Sequence, residues 1–161
     1  MVTAPAKHLK PSPKARNSAA RLAAVQAVYQ QAESGQKAAD VIAEYESCRL
    51  GKPVDGEAMV PPDGRLFRAI VGGVEKRRDD LSGMIDSFLR ARGTGIGMMD
   101  PLLRAILLCG GYELLAHHDT DPPVIITDYM NVTSAFYAQN ETKLINAILD
   151  RVKGAVRDSD S

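Results

Sequence analysis

Five cations with no acid among them open the chain: Lys7, Lys10, Lys14, Arg16 and Arg21 all fall within the first 21 residues. Clustered cations raise the local positive potential and attract phosphate. Tyr29 follows Arg21 by about two helical turns. Cations that track a backbone, together with rings on which splayed bases stack, are the means by which proteins hold single-stranded RNA. Aromatics are scarce here, at 5% with no Trp, so Phe88, Phe136 and Tyr137 enter the same inventory. Periodicity alone favours Tyr29 as a core residue, Phe88, Phe136 and Tyr137 suit a hydrophobic core equally well, and spacing alone does not bring these rings together.

Other chemistries find less support. Gly93-Thr94-Gly95-Ile96-Gly97 has the glycines of a phosphate loop, but a dinucleotide fingerprint needs a preceding strand and a βαβ unit. It reads as a flexible connection between helices. His117-His118-Asp119 suggests a metal cluster, yet adjacent helical positions do not face one another. Histidines at a helix end more commonly meet its free carbonyls. The paired carboxylates Asp79-Asp80 and Asp119 with Asp121 lie at helix boundaries, where acids favour first turns. No Ser/His/Asp or Cys/His set stands out. The reading is a non-enzymatic protein with no cofactor and no metal.

Twenty basic and twenty acidic residues cancel, which taken alone argues against a nucleic-acid binder. The cancellation conceals an arm: fifteen bases face twenty acids over the remaining 140 residues. The two cysteines, Cys48 and Cys109, sit far apart within apolar patterns and read as core thiols of a cytoplasmic protein. The most apolar stretch, Leu102 to Leu115, is broken by Arg104 and is shorter than the ~20 residues of a membrane span. No membrane association is expected.

The elements that must position these residues are helices. Residues 1–16 are expected to form a flexible basic arm, 17–157 one all-helical domain and 158–161 a disordered tail. From Ser18, apolar residues recur at three- and four-residue steps, and Gly35 closes that helix. A second stripe runs from Ala38 to Tyr45, and a loop follows from Gly51 to Gly64. Asp63 or Gly64 opens a third pattern, either one long helix to Leu89 or two with a bend near Asp79. Asp100-Pro101 starts a helix that is apolar nearly all round and should be central, with Gly110 and Gly111 admitting a close neighbour. Pro122-Pro123 begins another helix, and Asn140 caps the last. The class is all-α, with about six or seven helices.

Three stretches resemble the NusB family of bacterial transcription antitermination factors. They are Arg21-Leu-Ala-Ala-Val-Gln-Ala-Val-Tyr29-Gln30, Leu103-Arg-Ala-Ile-Leu-Leu-Cys-Gly-Gly-Tyr-Glu-Leu114 and Lys143-Leu-Ile-Asn146-Ala-Ile-Leu-Asp150. The resemblance spans about residues 16 to 157 and implies two packed three-helix bundles. It implies binding of single-stranded boxA RNA together with the ribosomal protein NusE. The pair would act in an antitermination complex with RNA polymerase on ribosomal RNA operons. Carried onto this chain, it assigns RNA contacts to Lys14, Arg16, Arg21, Tyr29, Phe88, Phe136, Asn140 and Lys143, and partner contacts to Arg104 and Glu113. The resemblance implies either a monomer or a homodimer for this chain. Three departures bear on affinity: Asn17-Ser18-Ala19-Ala20 replaces a run of arginines, Leu108 stands at a commonly basic position, and Leu144 at a commonly aromatic one. They admit an alternative, an interaction adaptor of the same complex with weakened RNA recognition.

Overall fold

The computed structural model describes residues 11–48 and 60–157. Within them the chain forms seven α-helices: α1 (Pro13–Ser34), α2 (Ala38–Cys48), α3 (Gly64–Lys76), α4 (Arg78–Arg90), α5 (Pro101–Ala116), α6 (Pro122–Phe136) and α7 (Gln139–Val156). The all-helical expectation holds. Helices α1, α2 and α3 pack on one another as one three-helix group, and α5, α6 and α7 as a second. Helix α5 joins them, touching α1 and α3 on one side and α4, α6 and α7 on the other. Residues Ala105 to Gly111 are buried without a break, as expected for an apolar helix at the centre.

Local chemistry sets the boundaries. Helix α1 begins at Pro13, several residues before the expected end of the arm: the Ser12 hydroxyl accepts the Ala15 amide at 3.0 Å, and Pro13 suits the first turn. Residues 1–10, and so Lys7 and Lys10, lie outside the described residues. Gly35 ends α1 at φ 76°, a left-handed geometry that favours glycine. Asp63 caps α3 through the Leu66 amide, and the chain breaks into α3 and α4 at Arg77. Asp79 and Asp80 then occupy the first turn of α4. Asp100 caps α5 as expected, through the Leu102 amide. Helix α7 differs: Ala138 is its cap residue, so Asn140 lies inside the first turn. The Tyr137 hydroxyl, bonded to Asp100 at 2.6 Å, anchors the chain just before that corner.

The glycine-rich segment is tethered more than its composition suggests. The Asp86 carboxylate accepts the Ile96 amide at 2.8 Å and holds Arg90 at 2.6 Å. A short 3-10 turn at Ile96–Met98 follows. Gly110 does admit a neighbour: a Cβ there would approach Leu149 of α7 to 2.9 Å. Cys109 is buried, with its thiol pKa pushed up by burial; the side chain of Cys48 lies outside the described residues. Among the described residues, no helix is long and apolar enough to cross a membrane, and no group of His, Cys, Asp or Glu is arranged to hold a metal ion.

Candidate nucleic-acid interface

Tyr29 and Phe136 come together, although 107 positions separate them in sequence. They line a shallow groove of about 360 Å³ with Gln26, Asp100, Leu102 and Tyr137. Helix α1 supplies Tyr29 from its solvent side, the C-terminal end of α6 supplies Phe136, and the N-terminal turn of α5 forms the floor. Periodicity favoured Tyr29 as core, but the ring is 37% exposed, and Phe136 is 47% exposed. Two half-covered rings in one concavity are held by their buried edges and offer their remaining surface to a flat partner. Asp100 is occupied by the Tyr137 hydroxyl and the Leu102 amide. Burial and that bond to Asp100 push the Tyr137 hydroxyl well above the usual tyrosine range. A carboxylate repels phosphate and can accept amino protons.

The cations divide. Lys14, Ser18, Leu22 and Tyr29 share one side of α1, at steps of four, four and seven. Lys14 is exposed. Arg16 lies roughly 140° around the helix from Tyr29 at ~100° per residue. Its Nε donates to the Pro61 carbonyl at 3.2 Å, which ties α1 to the segment before α3. Asn140 and Lys143, both exposed, occupy the first turns of α7, starting four residues after Phe136.

Arg21 points inward instead, and the expectation that it reaches RNA through the surface gives way to a buried ion pair. It is 3% exposed. Its Nε and Nη2 donate to the two Glu113 carboxylate oxygens at 2.7 and 3.1 Å, and its Nη1 to Asp128 Oδ2 at 2.7 Å. Glu113, fully buried, also accepts the Tyr129 hydroxyl at 2.6 Å and has His117 Nδ1 3.3 Å away. Burial alone would raise the Glu113 carboxyl, but the bonds from His117, Arg21 and Tyr129 outweigh it and hold it below the usual carboxylate range. Burial and the adjacent Glu113 charge drive the Tyr129 hydroxyl well above its ordinary value. The knot clamps α1, α5 and α6, the helices that form the groove. Glu113 is therefore unavailable for direct contact with a partner. Arg104, half-buried, turns back to the Met99 carbonyl at 3.1 Å.

Phe88 stands apart from the groove. It is half-buried on α4 beside residues 150 to 155 of α7, near the end opposite Asn140. Arg157 escaped the sequence reading altogether. It donates to the carbonyls of Leu114, His117 and Thr120 at 2.7, 2.8 and 3.2 Å, satisfying the open C-terminal end of α5. A basic residue next to the chain's last apolar stripe was its only signal.

Comparison with known proteins gives concordant results. The model of the NusB family matches residues 18–153. The transcription antitermination protein NusB of Sinorhizobium medicae (strain WSM419) is 42% identical over 142 residues, which cover 88% of each chain. Its counterpart in Brucella ovis is 43% identical over 142 residues, covering 88% of this chain and 82% of its own. Among solved structures, T. maritima NusB superimposes with a TM-score of 0.70 at 19% identity, over 94% of this chain and 97% of its own. A complex of the antitermination factors NusB and NusE with dsRNA contains a chain with TM-score 0.70 and 16% identity, over 89% of this chain and 99% of its own. At those identities the structures speak to the fold.

Proposed function

This chain belongs to the NusB family of non-enzymatic transcription antitermination factors, and from that premise we propose that it binds single-stranded boxA RNA together with NusE. The pair would join elongating RNA polymerase and keep it processive on ribosomal RNA operons. One observation carries the RNA reading: Tyr29 and Phe136, half exposed, line one groove. Bases stack there while Lys14, Asn140 and Lys143 meet the backbone at its margins. Arg16 and Arg21 act by positioning α1. The solved NusB–NusE–dsRNA assembly of a structural neighbour supports both partner classes.

A second reading has its own observation. Arg21, the one arm cation within the matched family stretch, is spent in a buried pair. That favours an adaptor that recognises boxA only once NusE is present. Titration of labelled boxA and a scrambled control, with and without NusE, separates the two. Direct recognition predicts a boxA preference without NusE. It also predicts a log-log salt slope of roughly −2 to −3.5, from about three to five phosphates at −0.7 each. No preference without NusE, and a preference with it, selects the adaptor. No preference in either case removes both.

A further inference from the structure

Helix α1 carries three glutamines, and two of them are spent on packing. Gln30 donates to Gln36 Oε1 at 2.8 Å and to the Glu44 carboxylate at 3.2 Å. Gln31, buried, donates to Glu75 Oε2 at 3.2 Å and to the Gln36 carbonyl at 3.3 Å. Gln26 differs. It is exposed and lines the Tyr29–Phe136 groove, three residues before Tyr29 on the same side of the helix. Among the described residues its amide has no hydrogen-bond partner. An open carboxamide beside an open ring has both its donors and its acceptor to offer.

The floor of the groove supplies a group of another kind. Asp100 accepts from the Tyr137 hydroxyl through Oδ2 at 2.6 Å and from the Leu102 amide through Oδ1 at 3.3 Å. Those two bonds fix the carboxylate from two sides. Each oxygen keeps a second lone pair, and neither can donate. Asp100 is itself exposed and lines the groove with Gln26.

Stacking on Tyr29 and Phe136 is indifferent to the base that stacks, because every base has a π-face. Identity is read at the edges. A carboxamide pairs with an amine beside a ring nitrogen, as at adenine N6 with N7 or at cytosine N4 with N3. Turned over, the same amide pairs equally well with the keto edge of uracil. Asp100 removes that freedom: an acceptor that cannot donate attracts an amino group and repels a keto oxygen.

We propose that Gln26 is the specificity-determining residue of the groove. Against the fixed carboxylate of Asp100, it selects a base with an exocyclic amine beside an acceptor nitrogen, adenine or cytosine. The selection rests on the RNA reading of that groove and adds base identity to a site that stacking alone leaves unselective.

The test uses the full-length chain, with NusE added, and a set of labelled boxA RNAs. In each RNA one adenosine is replaced by inosine, or one cytidine by uridine. Either replacement exchanges the amine for a keto oxygen and the acceptor nitrogen for an N–H, and keeps the ring. The parent loses about tenfold in affinity at one or more of these positions. Gln26→Leu keeps the bulk without the amide. It erases the difference at one such position by weakening the amine-bearing RNA. Asp100→Asn erases the difference at the same position by strengthening the keto-bearing RNA, with thermal midpoints confirming that both variants fold. A parent that tolerates every replacement overturns the selection and leaves the groove standing. So does a Gln26→Leu variant that discriminates as the parent does or weakens every RNA in the set alike, and so does an Asp100→Asn variant with the discrimination intact. A parent that binds none of the RNAs, or a Tyr29→Ala variant that binds them all as the parent does, overturns the groove and the selection together.

Discussion

Arg21 and Glu113, 92 residues apart, meet inside the protein through two hydrogen bonds of 2.7 and 3.1 Å. The pair joins the first helix to the central one. Asp128 brings in α6 through Arg21, and Ser18 closes the outer side by donating to Asp128 at 2.9 Å. The planar fork of arginine suits two carboxylates at once, which a lysine does not reproduce.

Removing one partner leaves the other charged and desolvated. Arg21→Ala is therefore expected to cost about 3–5 kcal/mol in urea unfolding, with Arg21→Lys recovering part of the loss. Because the side chain is buried and acts by positioning α1, any loss of RNA affinity in Arg21→Ala should accompany its loss of stability. An Arg21→Ala protein with parental stability and lost RNA binding would return Arg21 to the surface contacts.

Acid should loosen the same knot. The Glu113 carboxyl titrates below its unfolded value of about 4.3. A carboxylate with a depressed folded pKa contributes stability that is complete above the unfolded value and is lost as pH falls through the folded one. Asp86 shifts in the same direction, through the Ile96 amide and Arg90. Denaturation midpoints followed from pH 7 to about pH 3 should fall for the parent chain. The fall should be shallower below the unfolded value for Glu113→Gln, which has already lost that contribution. Parallel profiles for the two proteins would contradict the assignment.

Close packing makes a different prediction at Gly73. A Cβ on this residue of α3 would collide with the Tyr112 ring of α5. Gly73→Ala should destabilise by about 1–3 kcal/mol, the usual cost of overpacking. Tyr112 has a way out, because it is half-buried and touches His117 edge-on at 5.3 Å. Combining Gly73→Ala with Tyr112→Ala should thus lose less than the two single changes summed. Additive losses in thermal unfolding would show that the contact does not set the helix spacing.

What the sequence reveals divides by range. Asp100-Pro101 and Asp63 announce their helices because capping is settled within three residues. Gly110 is readable because an apolar helix with a glycine invites a neighbour, here Leu149. Asn140 misleads for the opposite reason: α7 starts where Tyr137 is anchored to Asp100, 37 residues back, and that anchor overrides the better local cap. Arg21 misleads in the same way. On an isolated helix an arginine belongs at the surface, and only Glu113 and Asp128, far along the chain, draw it inward. Tyr29 reads as core because three- and four-residue steps mark one helix side without saying how wide the covered part is. Its exposure depends on α6 ending at Phe136, beyond the reach of any local pattern.

The groove itself is tested by separating stability from binding. Tyr29 and Phe136 are 37% and 47% exposed in the folded protein, so truncating either removes less buried apolar area than truncating a fully buried ring. Tyr29→Ala and Phe136→Ala should each shift unfolding by about 1–2 kcal/mol, below the ~3–5 kcal/mol of a fully buried ring. If each ring stacks on a base, each change should weaken RNA binding by about 1–3 kcal/mol. A shared groove adds a further expectation: a strand freed from one ring reaches the other less well, so the double variant should depart from additivity. Calorimetric unfolding and fluorescence titration on the same samples measure both quantities. Strong destabilisation with unaltered RNA affinity would make the two rings part of the core. Additive binding losses would place them on separate sites, against the groove they line together.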